Sequence, residues 1–129
     1  MDLGDLPIAE FAHPGPLRDQ LVAAILRGDK TATTSLLAEY EEEGVPLPRP
    51  GDRFAVVDSD GNRVAAIETV SCEVMRAGDV GDDVAFGEGE DYTDRDDWWR
   101  GHHAYWSGYR PEETTDDTPV VVEWFRRVA

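Results

Sequence analysis

Gly28-Asp29-Lys30-Thr31-Ala32-Thr33-Thr34-Ser35 is the stretch on which the fold turns. Before it, Leu17, Leu21, Ala24 and Ile25 recur at helical spacing, which predicts an amphipathic helix over 16–27. Gly28 fits the left-handed position that ends such a helix. After it, Thr31 to Ser35 is rich in β-branched residues and suits a short strand or an extended loop. Lys30 therefore stands at the joint between a helix and an extended segment. It is also the only lysine, because eleven of the twelve basic residues are arginine. Arginine keeps its proton under nearly all conditions, whereas a lysine can be made to release one.

Working outward, Leu36 to Glu43 reads as a short acidic helix ended by Gly44. Pro46, Pro48 and Pro50 make a stiff connector, and Gly51-Asp52 a turn. Arg53 to Val57 is a strand, Asp58-Ser59-Asp60-Gly61-Asn62 a hairpin turn, and Arg63 to Met75 a long strand. Its even positions are Val64, Ala66, Glu68, Val70, Cys72 and Val74, so one carboxylate interrupts an apolar face. Either Glu68 points inward and needs a partner, or the strand bends or places it near a rim. Cys72 is expected to be a small buried hydrophobe. Asp79 to Phe86 is predicted as a short helix, followed by Gly87-Glu88-Gly89-Glu90. Asp94 caps a helix running to about Trp106, rich in Trp98, Trp99, Tyr105 and Trp106. Pro119 to Arg127 closes the chain as a strand with Val120, Val122 and Trp124 on one face. The order predicts one α+β domain over 1–129 with a small curled sheet.

Hydrophobic residues make up 40% of the 129, enough for a modest core. No apolar run approaches the roughly 20 residues that cross a bilayer. The start, Met1-Asp2-Leu3-Gly4-Asp5, is acidic and unlike a secretory signal, so the expected location is the cytoplasm. One cysteine rules out an internal disulfide or a cysteine-rich zinc site. A net charge of −16 argues against a membrane surface and against a large non-specific grip on nucleic-acid phosphate. It leaves room for a small nucleoside or nucleotide, or a short single-stranded RNA, in a local pocket. Asp58, Asp60 and Asn62 resemble part of a calcium loop, but no Glu completes it in place, and a turn is the reading. His102 and His103 diverge by about 100° on a helix and do not share a metal in a simple way. No metal and no cofactor is expected, and the oligomeric state is left open.

Gly28-Asp29-Lys30-Thr31-Ala32-Thr33 resembles the Gly-x-Lys-x-x-Thr signature of the ASCH family. The resemblance continues through Ser35-Leu36-Leu37-Ala38-Glu39-Tyr40-Glu41 and Pro46-Leu47-Pro48-Arg49-Pro50-Gly51-Asp52. It takes in Ile67-Glu68-Thr69, Ala85-Phe86-Gly87-Glu88-Gly89, the aromatic helix with Trp99 and His103, and Pro119-Val120-Val121-Val122-Glu123-Trp124-Phe125. It spans roughly residues 17–127. It implies a PUA-like fold, a small β-barrel or mixed curled sheet flanked by short helices, related to RNA-modification and RNA-binding modules. It also implies a cleft that accepts a nucleobase or nucleotide. Some small bacterial members hydrolyse the amide of N4-acetylcytidine, and others act as ribonucleases. In the amidohydrolases a lysine, a threonine three residues on and a distant glutamate do the work; those positions fall on Lys30, Thr33 and Glu88. Ser35 stands where many members carry an arginine, so a planar fork for phosphate or carbonyl is missing. Ser35, Glu68, Trp99 and His103 are the further ligand-binding candidates.

An amide hydrolase needs a nucleophile, a base and an oxyanion donor. Thr33 offers a hydroxyl, and Glu88 a proton shuttle to the leaving amine. Lys30 serves as base if neutral or as oxyanion donor if charged. In a straight strand, side chains three apart point to opposite sides, so Lys30 and Thr33 share a cleft only across a kink. An irregular backbone is therefore expected between Thr31 and Thr33. A base lysine must fall far below its usual pKa of about 10.4, and 28 acidic residues oppose that. The charged role is at least as strong. The expected function is hydrolysis of an N4-acylated cytidine-type nucleoside. An RNA-binding module would need an arginine-lined groove, from Arg27, Arg49, Arg53 and Arg100. A ribonuclease would pair Lys30 with His103.

Overall fold

The helix expected over 16–27 is α1, Pro16–Arg27, in a computed structural model that describes residues 2–129. Pro16 sits in its first turn, where a missing N–H costs nothing. Gly28 ends it at φ +86°. The amides of Asp29 and Lys30 both donate to Ala24 O, at 2.9 and 3.1 Å, and the chain swings straight into strand β2, Ala32–Leu36. From Ala32 onward β2 pairs in unbroken antiparallel register with β5, Pro119–Arg127. The irregularity expected between Thr31 and Thr33 is absent. Thr31, just before the strand, is tied down as well, its N–H on Gly87 O at 2.7 Å and its carbonyl accepting from Phe125 N at 2.9 Å. The helix cap turns the chain, so the strand has no need to.

The sheet runs in the order β1-β3-β4-β5-β2, with β1 Ile8–Ala9, β3 Arg53–Val57 and β4 Arg63–Arg76. Only β1 and β3 are parallel. It is a mixed, curled sheet that does not close into a barrel, and β2 forms one free edge. Between β3 and β4, Asp58 Oδ1 accepts from the amides of Asp60 and Asn62, at 3.0 and 2.8 Å, so the acidic loop is a self-bonded turn. Helix α2 is Leu37–Glu43, α3 Asp82–Gly87 and α4 Arg95–Ser107. The helix expected from Asp79 starts later, because Ala77–Asp79 forms a separate 3-10 turn. Asp94 caps α4 as expected, taking the Asp97 amide at 2.8 Å.

Helices cover both faces of the sheet. On one, Phe11, Val22 and Ile25 pack with Val56, Ala65, Ile67 and Phe125. On the other, the aromatic face, Val84, Ala85, Trp98 and Trp106 pack with Leu36, Val120 and Val122. Burial on both sides explains the near-continuous apolar run of β5. β4 carries an irregularity between Thr69 and Ser71, and Val70 there is 52% exposed. This breaks the alternation read from the sequence. Glu68, just before it, lies at the rim, held by Arg53 and Arg126 at 2.8 Å each. Beyond it the α1 side of the sheet loses its cover, so Cys72 is half-buried rather than buried, and Val74 is exposed.

Candidate functional site

Two glycines and the residue between them build the buried part of the site. A Cβ on Gly87 would lie 2.6 Å from the Trp124 ring, and one on Gly89 2.7 Å from the Asp29 and Lys30 backbone. Gly89 also has φ +69°. Glycine at both positions lets this turn lie flat against the root of β2, and Glu88 is driven inward. Glu88 is 1% exposed and Lys30 2%. Lys30 Nζ donates to Ala32 O at 2.8 Å, and to Glu88 O and Oε1 at 3.4 Å each. Three acceptors match the three protons of an ammonium. The Phe11 ring lies 5.8 Å away on the α1 side, so the ammonium sits at the strand edge between the two faces. On the aromatic side, Glu88 Oε2 accepts from Thr34 Oγ1 at 3.0 Å and from the Trp98 indole N–H, and His102 Nε2 lies 3.2 Å away.

Burial alone would raise the Glu88 carboxyl, but the charges of His102 and Lys30 outweigh it and hold it below its usual range. Burial would likewise lower His102, and the Glu88 charge and hydrogen bond reverse this and raise it. Its Nδ1 faces Trp98 O at 2.9 Å, a group that only accepts, while Nε2 faces the carboxylate. Both neighbours are acceptors, so the arrangement favours the protonated ring. Glu90 lies beside them, raised mainly by its burial. Ligand atoms of Glu88, Glu90 and His102 fall within 4.8 Å of one another, a spacing suited to a metal. The chemistry does not fit one: Oε2 is already filled by donors, and Lys30 and His102 bring the positive charge.

The opposite side of β2 carries a second polar group. Thr33 stands across from Glu123 on β5, and Glu123 across from Cys72 on β4, so one row crosses three strands. Glu123 is 7% exposed and takes one hydrogen bond, from Thr69 Oγ1 at 2.7 Å. Burial raises its carboxyl, and Asp52 adds to this while Lys30 opposes it. Tyr40 is pushed up to about 12 by burial, then by Glu123 and Cys72. Burial, then Glu123, pushes the Cys72 thiol up to about 11. Glu123 and Cys72 thus lie on one side of the sheet with Thr33 and Ser35, which are themselves half-buried.

The fold thus brings Lys30 and Glu88 together across 58 positions. It does not bring Thr33 to them. Among the described residues no hydrogen bond joins Thr33 to either, and Thr34 holds Glu88 instead, because β2 is a regular strand. Trp99 and His103 face one another, ring centres 5.2 Å apart, away from Glu88; their neighbours Trp98 and His102 make the contacts. The Asp94 cap and the i, i+4, i+8 spacing of Trp98, His102 and Trp106 were the signal for that phase. Glu68 lies at the rim with its two arginines. Of the arginines considered for a nucleic-acid groove, Arg27, Arg53 and Arg100 pair with Asp29, Glu68 and Asp97. Two surface hollows of about 290 and 350 Å³ lie elsewhere, against Trp124 and against the outside of the Gly89 turn.

The ASCH domain family model matches residues 8–129, and the chain belongs to that family. It is similar to the crystal structure of protein EF3133 from Enterococcus faecalis, at 26% identity and TM-score 0.79, over 95% of this chain and 76% of that one. It is similar as well to the ASCH domain from Lactobacillus crispatus, at 25% identity and TM-score 0.79, over 94% and 79%. No curated protein matches the chain. Among the described residues, no helix is long and apolar enough to cross a membrane.

Proposed function

We propose that this ASCH protein hydrolyses the N-acyl group of a small acylated nucleoside of the N4-acylcytidine type. The observation that carries it is the Lys30–Glu88 pair, the only lysine and a sealed glutamate held 3.4 Å apart at the root of β2. Thr33 is the hydroxyl assigned to meet the substrate, since it is half-buried beside Glu123 rather than sealed. Lys30 stands at the same strand edge with its charge felt as far as Glu123. To reach an oxyanion it exchanges one of its 3.4 Å contacts to Glu88 for the stronger acceptor. Glu88, held ionised by His102 and Lys30, positions the lysine rather than shuttling a proton. The paired arginines weigh against a groove for long RNA.

The test is incubation of the purified chain with N4-acetylcytidine and with a short single-stranded RNA, followed by chromatography. Thr33→Val and Lys30→Met run beside the wild type, with circular dichroism to check folding. Release of cytidine by the wild type and its loss in folded Thr33→Val supports the reading. Intact N4-acetylcytidine with the wild type overturns it, and cleaved RNA points to the ribonuclease alternative.

A further inference from the structure

We infer that the hollow against Trp124 is a binding site for a small organic cation, an alkylammonium on a short apolar stem. Neither Lys30, Glu88 nor Glu123 lines it, so the inference is independent of the nucleoside reading. The hollow holds about 290 Å³. Ligand pockets begin near about 300 Å³, so its size suits a short amine rather than a nucleotide. The floor comes from the sheet. Glu73 stands beside Val122 in the β4–β5 register, and Val122 and Trp124 are two apart, so all three side chains share one face. Trp124 lies down there because its six-membered ring rests on Gly87, where a Cβ would come within 2.6 Å. Its ring is only half-buried.

The lining selects the class of ligand. An indole is the aromatic ring that attracts cations best. Met75 and Val122 beside it take an apolar stem, and Asp79 and Asp83 close the hollow from the α3 side. Asp79 is engaged by Arg76 at 3.3 Å, so Glu73 and Asp83 bring the charge that a ligand meets. Among the described residues no Lys, Arg or His lines the hollow. An anion is therefore repelled. A neutral alcohol of the same shape forgoes both the ring and the carboxylates, and an inorganic cation forgoes the apolar floor.

The full chain is titrated with n-butylammonium and with 1-butanol at fixed ionic strength, and NMR follows the Trp124 indole N–H. That signal is assigned by its disappearance in Trp124→Phe. Butylammonium shifts it saturably and binds ~10-fold or more tightly than 1-butanol, through the ring and the two carboxylates together. Glu73→Gln with Asp83→Asn reduces that preference to about 1–3-fold, the share left to the ring. Glu41→Gln with Glu43→Gln removes the same charge from the exposed side of α2 and leaves the preference unchanged, which separates the site from the general pull of a chain of net charge −16. Three results overturn the inference: no saturable shift with butylammonium, equal binding of the amine and the alcohol, or an equal loss in the two double variants.

Discussion

Glu88 and Glu123 are both nearly sealed from water, yet they lie on opposite sides of the same strands and behave oppositely. Glu88 has a lysine, a histidine, an indole and a hydroxyl around it, and its carboxyl is held down. Glu123 has one hydroxyl and its carboxyl is pushed up. Burial is common to both, so burial does not decide the charge; the partners do. The aromatic side of β2 holds a carboxylate saturated with donors. The other side holds a buried carboxylate with a single hydroxyl donor.

The largest effect that would break or sharpen this contrast is at Glu88. Glu88→Ala leaves Lys30 and His102 buried against each other without a counter-charge, and a loss of about 3–5 kcal/mol is expected in chemical denaturation. A loss under about 1 kcal/mol would show that these contacts are not what holds this end of the fold. Gly89→Ala comes next. A side chain at φ +69° that also meets the Asp29 backbone at 2.7 Å costs about 1–3 kcal/mol, read as a lower melting temperature. A neutral result would mean that the Gly87–Gly89 turn is free to move away from β2.

The pH dependence tests both sides together. Glu88 lies below its ordinary 4.5, so its contribution is present above that pH and is lost as pH falls through its folded value. His102 lies above its ordinary 6.5, so its contribution is complete below that pH and is lost as pH rises through its folded value. Glu90 and Glu123 are raised, and their cost grows as pH climbs past 4.5. Thermal stability should therefore peak between 4.5 and 6.5 and decline on both sides. A maximum above neutral pH would contradict the stabilisation that the raised His102 supplies. The smallest effect is at Glu123. Glu123→Gln keeps the acceptor for Thr69 and removes the buried charge, so it gains about 1 kcal/mol or less at neutral pH and nothing in acid. A clear loss at neutral pH would mean that Glu123 has a cationic partner after all, and the contrast would fail.

Local signals made most of the elements legible. Gly28 ends α1, Asp58 to Asn62 makes its own turn, and Asp94 caps α4, because each depends on residues a few positions apart. The resemblance named Lys30 and Glu88, and they do meet. The choice of their neighbours was less accessible. Thr34 rather than Thr33 reaches Glu88 because β2 is a regular strand from Ala32, and its regularity is set by pairing to β5 some 90 residues later. The phase of α4 sends Trp98 and His102 inward in place of Trp99 and His103.

By itself, then, the sequence determined the helices, the hairpin and the family motif, since propensity, capping and turn chemistry act over short spans of chain. Only the tertiary structure decided that β1 pairs with β3, that β4 is irregular after Thr69, and that one buried glutamate is saturated while the other has a single donor. These outcomes depend on which distant groups share a face, and a carboxylate has no fixed character until its partners are in place.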